Sequence, residues 1–301
     1  MRFNDKGQEV RRVQQALLDG GYSLPRYGVD GHLGAETWDT LRHYAGDHSS
    51  PWDPEVPKGV LALLAKPDPP VEVPDTPDTP ELDVPVVDLR GDQSNPPAKS
   101  RKFKLAGGAV VERNPAMVTG ITIHQTAVPY GVAEYQVQAA GGDRELALAR
   151  RSLDVACHVM AFRSGFVAWP NPLRWYVHHG NGFNSTELGL EIDGRYPGLI
   201  GGDTWDGKPA TEATDELVSA ARAAVALMVR EGRAAGMPIR FIHAHRQSSS
   251  SRRSDPGEEL WRRVVLEYAV PELGLVTEPA KVLGSGRPIP TQWDPDGVGD
   301  Y

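Results

Sequence analysis

The 301-residue chain is 40% hydrophobic and 24% charged, which is enough for one sizeable core and one small one, so a soluble two-domain protein is the default expectation. Its formal charge of -8 is concentrated: residues 53–92 hold ten Asp/Glu against Lys58, Lys66 and Arg90. The remainder is close to neutral, which excludes the basic footprint of a nucleic-acid binder.

The start, Met1 to Gly7, runs into polar residues without the apolar centre of a secretory signal, and no stretch is apolar enough to span a bilayer. Synthesis in the cytoplasm without a signal peptide, no membrane insertion and a monomeric state are the expectations. Val10, Val13, Leu17 and Leu18 recur at helical spacing and Gly20-Gly21 closes that helix. After a turn through Pro25, Gly28, Asp30 and Gly31, a second helical pattern opens near Gly34 with Trp38, Leu41 and Ala45 on one face. Gly59 to Lys66 fits one further short helix. Residues 1–66 are therefore read as a small all-α domain. From 67 to 101, prolines interleaved with Asp, Glu and Thr predict an extended spacer.

Beyond the spacer, apolar runs alternate with helical patterns. Gly120 to His124, Val155 to Phe162, Leu188 to Ile192 and Ile239 to His243 read as strands. The clearest helix is capped by Thr214 or Asp215, lined by Leu217, Ala221, Ala224 and Met228, and stopped by Gly232, Gly236 and Pro238. An α/β domain over 102–270 follows. The Gly- and Pro-rich remainder, 271–301, reads as an irregular tail.

A lone cysteine, Cys157, excludes a disulfide framework or a Cys-rich structural zinc site, so a metal would be held by His and carboxylates. A hydrolytic zinc site needs three protein ligands and an open position. His124 ends one strand, His245 follows another, and Asp255 precedes a Pro256-Gly257 turn that can return its carboxylate to the strand ends. Spacing alone leaves open that these histidines are hydrogen-bonded in ordinary loops.

Three runs resemble the signature segments of zinc-dependent N-acetylmuramoyl-L-alanine amidases, the type 2 amidase and peptidoglycan recognition protein superfamily. They are Ile121-Thr122-Ile123-His124-Gln125-Thr126-Ala127, Gly189-Leu190-Glu191-Ile192-Asp193-Gly194, and His245 through Asp255-Pro256-Gly257. The resemblance implies a mixed central sheet flanked by helices, with peptidoglycan as substrate and Zn2+ as cofactor. It makes His124, His245 and Asp255 the metal ligands and Glu191 the catalytic acid/base. Arg253 stands where the family has Lys; Arg keeps the charge but offers a fork of donors instead of a point charge, and Arg252 is the neighbouring alternative. Asp193 is the rival to Glu191, and simple strand alternation would make Glu191 a solvent-facing residue. His179, in Trp175 to Asn181, resembles a groove-lining segment and is expected, with Asn184, to contact substrate. His158 and Cys157 are expected in the core, and His178 and His243 to be structural.

The first domain resembles small helical peptidoglycan-binding modules through Val10 to Leu17, Gly21-Tyr22, the Asp30-Gly31-His32-Leu33-Gly34 turn and Thr37 to Leu41, although Asp30, Tyr22 and Trp38 could be architectural. Together these features imply a lytic amidase, in the manner of a phage endolysin, with a non-catalytic peptidoglycan recognition protein as the alternative. A zinc peptidase acting within the stem peptide is a third reading.

Overall fold

The computed structural model describes residues 3–19, 22, 24, 27–47, 83–92, 101–198, 208–278 and 281–299. It divides into two units, 1–75 and 76–301.

In the first unit, α1 (Gln8–Asp19) and α2 (Ala35–Asp47) bury Val10, Val13, Leu17, Leu24, Leu33, Trp38 and Leu41. The Asp30 turn is built into this small core by Gln14, whose Nε2 donates to Asp30 Oδ1 (2.7 Å) and Thr37 Oγ1 (3.0 Å) while its Oε1 accepts the Gly31 N–H (2.7 Å). Gly31 has φ +78°, a conformation that costs a side-chain-bearing residue energy. Asp30 is thus architectural, and its contact with Gln14 lowers its pKa. The possible helix at 59–66 lies outside the described residues.

The second unit is organised on a seven-stranded mixed sheet in the order β1-β6-β5-β7-β4-β8-β9. The strands are β1 (Val86–Asp88), β4 (Gly120–Gln125), β5 (Val159–Phe162), β6 (Phe166–Trp169), β7 (Glu187–Ile192), β8 (Phe241–Ala244) and β9 (Val276–Thr277). A separate hairpin joins β2 (Leu105–Ala106) and β3 (Ala109–Val110). Only the β5–β6 pair of the large sheet is antiparallel. Short helices α3 (Glu134–Ala139) and α4 (Arg144–Ala149) precede β5.

One face of the sheet is apolar. Ile121, Ile123, Leu188, Leu190 and Ile192 pack with α5 (Asp215–Ala234) and with a continuous helical run through Glu258–Leu260, Trp261–Ala269 and Val270–Leu273. The α5 helix starts as the sequence dictates, with the Thr214 side chain accepting the Leu217 N–H. Period-two alternation then sends Thr122, His124, Glu187, Gly189 and Glu191 to the opposite face.

The α/β class with a mixed sheet holds, with several local corrections. Residues 155–158 are not strand, because the Val155 N–H donates back to the Ser152 carbonyl (2.9 Å) and the Cys157 N–H to the Val155 carbonyl (3.1 Å), local turns in place of ladder bonds. Within the proline-rich spacer, Val86–Asp88 pairs in parallel with β6, so sheet pairing overrides the local composition there. The 271–301 segment is more than an irregular tail: it supplies β9 and buries Leu275, Ile289 and Trp293.

Candidate active site and metal centre

Strand register assembles the site. His124 is the register partner of Glu191, and Ile123 pairs with Ala244, which puts His245, the next residue after β8, level with His124. Neighbouring strands lie about 4.8 Å apart, so these side chains emerge side by side at the carboxyl ends of parallel strands. Asp255 comes back from the loop after β8 and is fastened to β4, its Oδ1 accepting the Gln125 N–H (2.9 Å). Gln125 ties that turn to the segment after β7, donating from Nε2 to the carbonyls of Ser254 (3.0 Å) and Pro256 (3.0 Å) and to that of Tyr196 (2.7 Å). A buried glutamine directly after a strand-end histidine was the signal for this role, and it had no assigned function in the sequence.

Candidate ligand atoms of His124, His245 and Asp255 lie within 4.8 Å of one another, and all three residues are buried. His245 Nδ1 is 3.0 Å from Asp255 Oδ2.

The protonation pattern of His124 follows from its neighbours. His179 Nε2 lies 3.0 Å from the Glu187 carbonyl, which can only accept, so that nitrogen carries the proton. Burial, and secondarily Arg113, hold the His179 pKa down at about 3, so its Nδ1 is a bare acceptor. The His124 Nε2, 3.1 Å away, therefore donates to it. Burial, reinforced by His245, also keeps His124 well below the usual imidazole range and hence neutral. Its remaining lone pair is on Nδ1, which is buried without a hydrogen-bond partner. An orphaned imidazole nitrogen beside a second imidazole and a carboxylate is a donor set that fits a zinc ion with an open position.

His179 and Asn184, the residues expected to contact substrate, are 6% and 9% exposed. Both are buried, and the Asn184 Oδ1 accepts the Gly180 N–H (2.6 Å). The His179 ring fills the gap left by Gly189, where a Cβ would come within 2.5 Å of His179 Cγ. Under them runs a clamp the sequence reading missed. Arg113 donates to the carbonyls of Asn184 (3.2 Å), Glu187 (2.5 Å) and Leu173 (2.6 Å), with burial bringing its pKa down to about 9. The Glu187 carboxylate accepts from Thr122 Oγ1 (2.5 Å) and sits 2.6 Å from His243 Nδ1.

Glu191 and Asp193 separate clearly. Asp193 accepts the Tyr130 N–H (2.7 Å) and pairs with Arg163 Nε (3.0 Å), so its carboxylate is committed to structure. Glu191 is partly exposed as a residue, yet its Oε2 is buried without a hydrogen-bond partner. Burial first, then the charge of Asp255, raises its pKa well above the usual carboxylate range. The cation that opposes this shift is Arg252; Arg253 has its carbonyl taken by Arg246 Nη1. Cys157 is fully buried, and burial raises its pKa well above normal, which keeps it a thiol of the core.

Residues 113–258 match the family model described as N-acetylmuramoyl-L-alanine amidase. No curated protein matches the chain. Among solved structures, the endolysin N-acetylmuramoyl-L-alanine amidase LysCS from Clostridium intestinale is 14% identical, with 59% of this chain and 93% of that one covered at a TM-score of 0.33. The bumblebee recognition protein PGRP-SA is 15% identical, with 62% and 97% covered and a TM-score of 0.38. The endolysin of the Thermus scotoductus bacteriophage Ph2119 is 14% identical, with 59% and 97% covered and a TM-score of 0.34. Over residues 113–258, just under half of its length, the chain is similar to the N-acetylmuramoyl-L-alanine amidase family.

Proposed function

We propose that the chain is a catalytically active, zinc-dependent amidase that hydrolyses the bond between N-acetylmuramic acid and the L-alanine of the stem peptide, and that it acts as a lytic endolysin-like enzyme. The observation that carries this reading is the convergence of His124, His245 and Asp255 beside an unpaired Glu191.

Zinc bound by these three residues would supply Lewis-acid polarisation of the scissile carbonyl and a water of lowered pKa. The protein's own groups then account for the proton movements. With its pKa raised by burial, the Glu191 carboxylate takes the proton of the attacking water and delivers it to the departing L-alanine nitrogen as the C–N bond breaks. Arg252 or Arg253 offers positive charge to the oxygen that becomes negative as the new C–O bond forms. His179 and Gln125 do no chemistry; they hold His124 and Asp255 in orientation.

Residues 1–66 would anchor the enzyme to the wall, and the segment from 67 to 101, apart from β1, would serve as a tether, raising the effective concentration of the site at an insoluble substrate. The test of the reading is wall lysis by the purified full-length protein after chelation and after zinc is restored. Loss and recovery support it, and lysis that persists without metal overturns it.

A further inference from the structure

Residues 281–299 lie beyond the region that matches the family, yet their backbone is laid along the loop that carries His245 and Asp255. The Leu283 N–H donates to the Gln247 carbonyl (2.8 Å) and the Arg287 N–H to the Arg246 carbonyl (2.8 Å). The Ser250 N–H donates to Ser285 Oγ (3.2 Å), and Gln247 Nε2 returns a bond to the Lys281 carbonyl (3.3 Å).

Arg246 and Trp293 tie the two segments together. Arg246, only 4% exposed, donates from Nε to the Pro288 carbonyl (2.9 Å) and from Nη1 to the Arg253 carbonyl, and its guanidinium is 4.9 Å from the Trp293 ring centroid. Trp293 is fully buried and donates its indole N–H to the Gly198 carbonyl (3.0 Å). Gly198 is itself pressed between that ring and Ser254, the residue before Asp255: a Cβ there would lie 2.5 Å from the indole and 2.9 Å from Ser254 Cα.

The loop from His245 to Asp255 has only a single short 3-10 turn, His245–Gln247, as regular structure. Such a segment loses much conformational freedom when ordered, and two ligands at its ends need to be held within about 0.5 Å of productive geometry. We infer that 281–299 is a strap that fixes this loop in metal-binding geometry, with Arg246 and Trp293 as positioning residues for His245 and Asp255. The inference rests on the metal reading above.

The experiment uses full-length protein and the variants Gly286→Ala, Trp293→Ala and Trp293→Phe. A Cβ at Gly286 would fall on the Gln247 carbonyl, so Gly286→Ala pries the strap from the loop without touching a ligand. Two quantities are measured: hydrogen exchange of the 246–255 amides in metal-free protein, and zinc affinity by competition with a chromogenic chelator. The expected result is faster exchange confined to that loop and its strap, with zinc affinity lowered about 10–100-fold in Gly286→Ala and Trp293→Ala and largely retained in Trp293→Phe. Unchanged exchange, or faster exchange with unchanged affinity, overturns the inference. If Gly286→Ala fails to fold, the Trp293→Ala and Trp293→Phe pair decides. If wild-type protein binds no zinc, the amidase reading fails separately, and exchange alone decides whether the strap orders the loop.

Discussion

His124 Nε2 lies 3.1 Å from His179 Nδ1, and His179 Nε2 is in turn held on the Glu187 carbonyl at 3.0 Å. A main-chain carbonyl thus fixes which nitrogen of His124 is left bare. His179→Ala should lower zinc affinity about 10–100-fold while leaving the protein folded. Chelator competition gives the affinity, and nitrogen NMR of the wild-type imidazoles should report His124 protonated on Nε2. The opposite tautomer in metal-free protein would break the chain of inference.

Glu191 has its carboxylate raised by burial and by Asp255. A general base must be ionised, so kcat/KM should decline on the acid side with an apparent pKa above the ordinary 4.5. Glu191→Gln should retain zinc but lose about 100-fold or more in turnover. Asp193→Asn should instead act mainly on stability, because that carboxylate holds Arg163 and the Tyr130 N–H. Equal loss of turnover with unaltered melting in the Asp193 variant would reverse the assignment.

The two arginines are separable. Arg252 is the cation whose charge reaches Glu191 and His124, so Arg252→Gln should lower kcat more than Arg253→Gln, by about 100-fold if it faces the developing oxyanion. A larger loss in Arg253→Gln would return the role to the position where the family carries Lys.

Behind the site, His243 is fully buried between Glu187 Oε1 (2.6 Å) and Glu278 Oε2 (3.4 Å). Burial lowers the His243 pKa, but Glu187 and Glu278 outweigh it and the net shift is upward from 6.5. Its contribution to stability is fully present below 6.5 and fades as pH rises through the raised value. Burial pushes Glu278 up, yet His243 and Lys281 bring it down to about 2. That contribution is present above 4.5 and fades as pH falls toward 2. The cluster should therefore stabilise most between about pH 4.5 and 6.5. His243→Gln should cost about 3 kcal/mol by removing the cation from beside the buried Glu187 carboxylate, and should flatten the pH dependence of thermal melting. A melting profile as steep as wild type would contradict this.

Residues whose contacts follow strand ends and short-range order were legible in the sequence. Strand-end positions singled out His124 and His245 and a Pro-Gly turn singled out Asp255, whose candidate ligand atoms lie within 4.8 Å of one another, while Glu191 on β7 was picked out by the resemblance of its segment. What was not legible depended on distant partners. His179 read as groove-lining because its segment resembles one, whereas the space that its ring fills is set by Gly189 on β7. Val86–Asp88 became a strand because β6 offered an edge, against the bias of its prolines. Residues 281–299 read as irregular by composition, and their bonds to Arg246, Gln247 and Gly198 leave no periodic trace.

The most direct test is mass spectrometry of the products released from purified peptidoglycan by the full-length protein, with and without a chelator. New free L-alanine amino termini on released stem peptides, absent after chelation and regained with zinc, are the predicted result. Wall that is bound but uncut, or cuts that fall within the stem peptide, would contradict it.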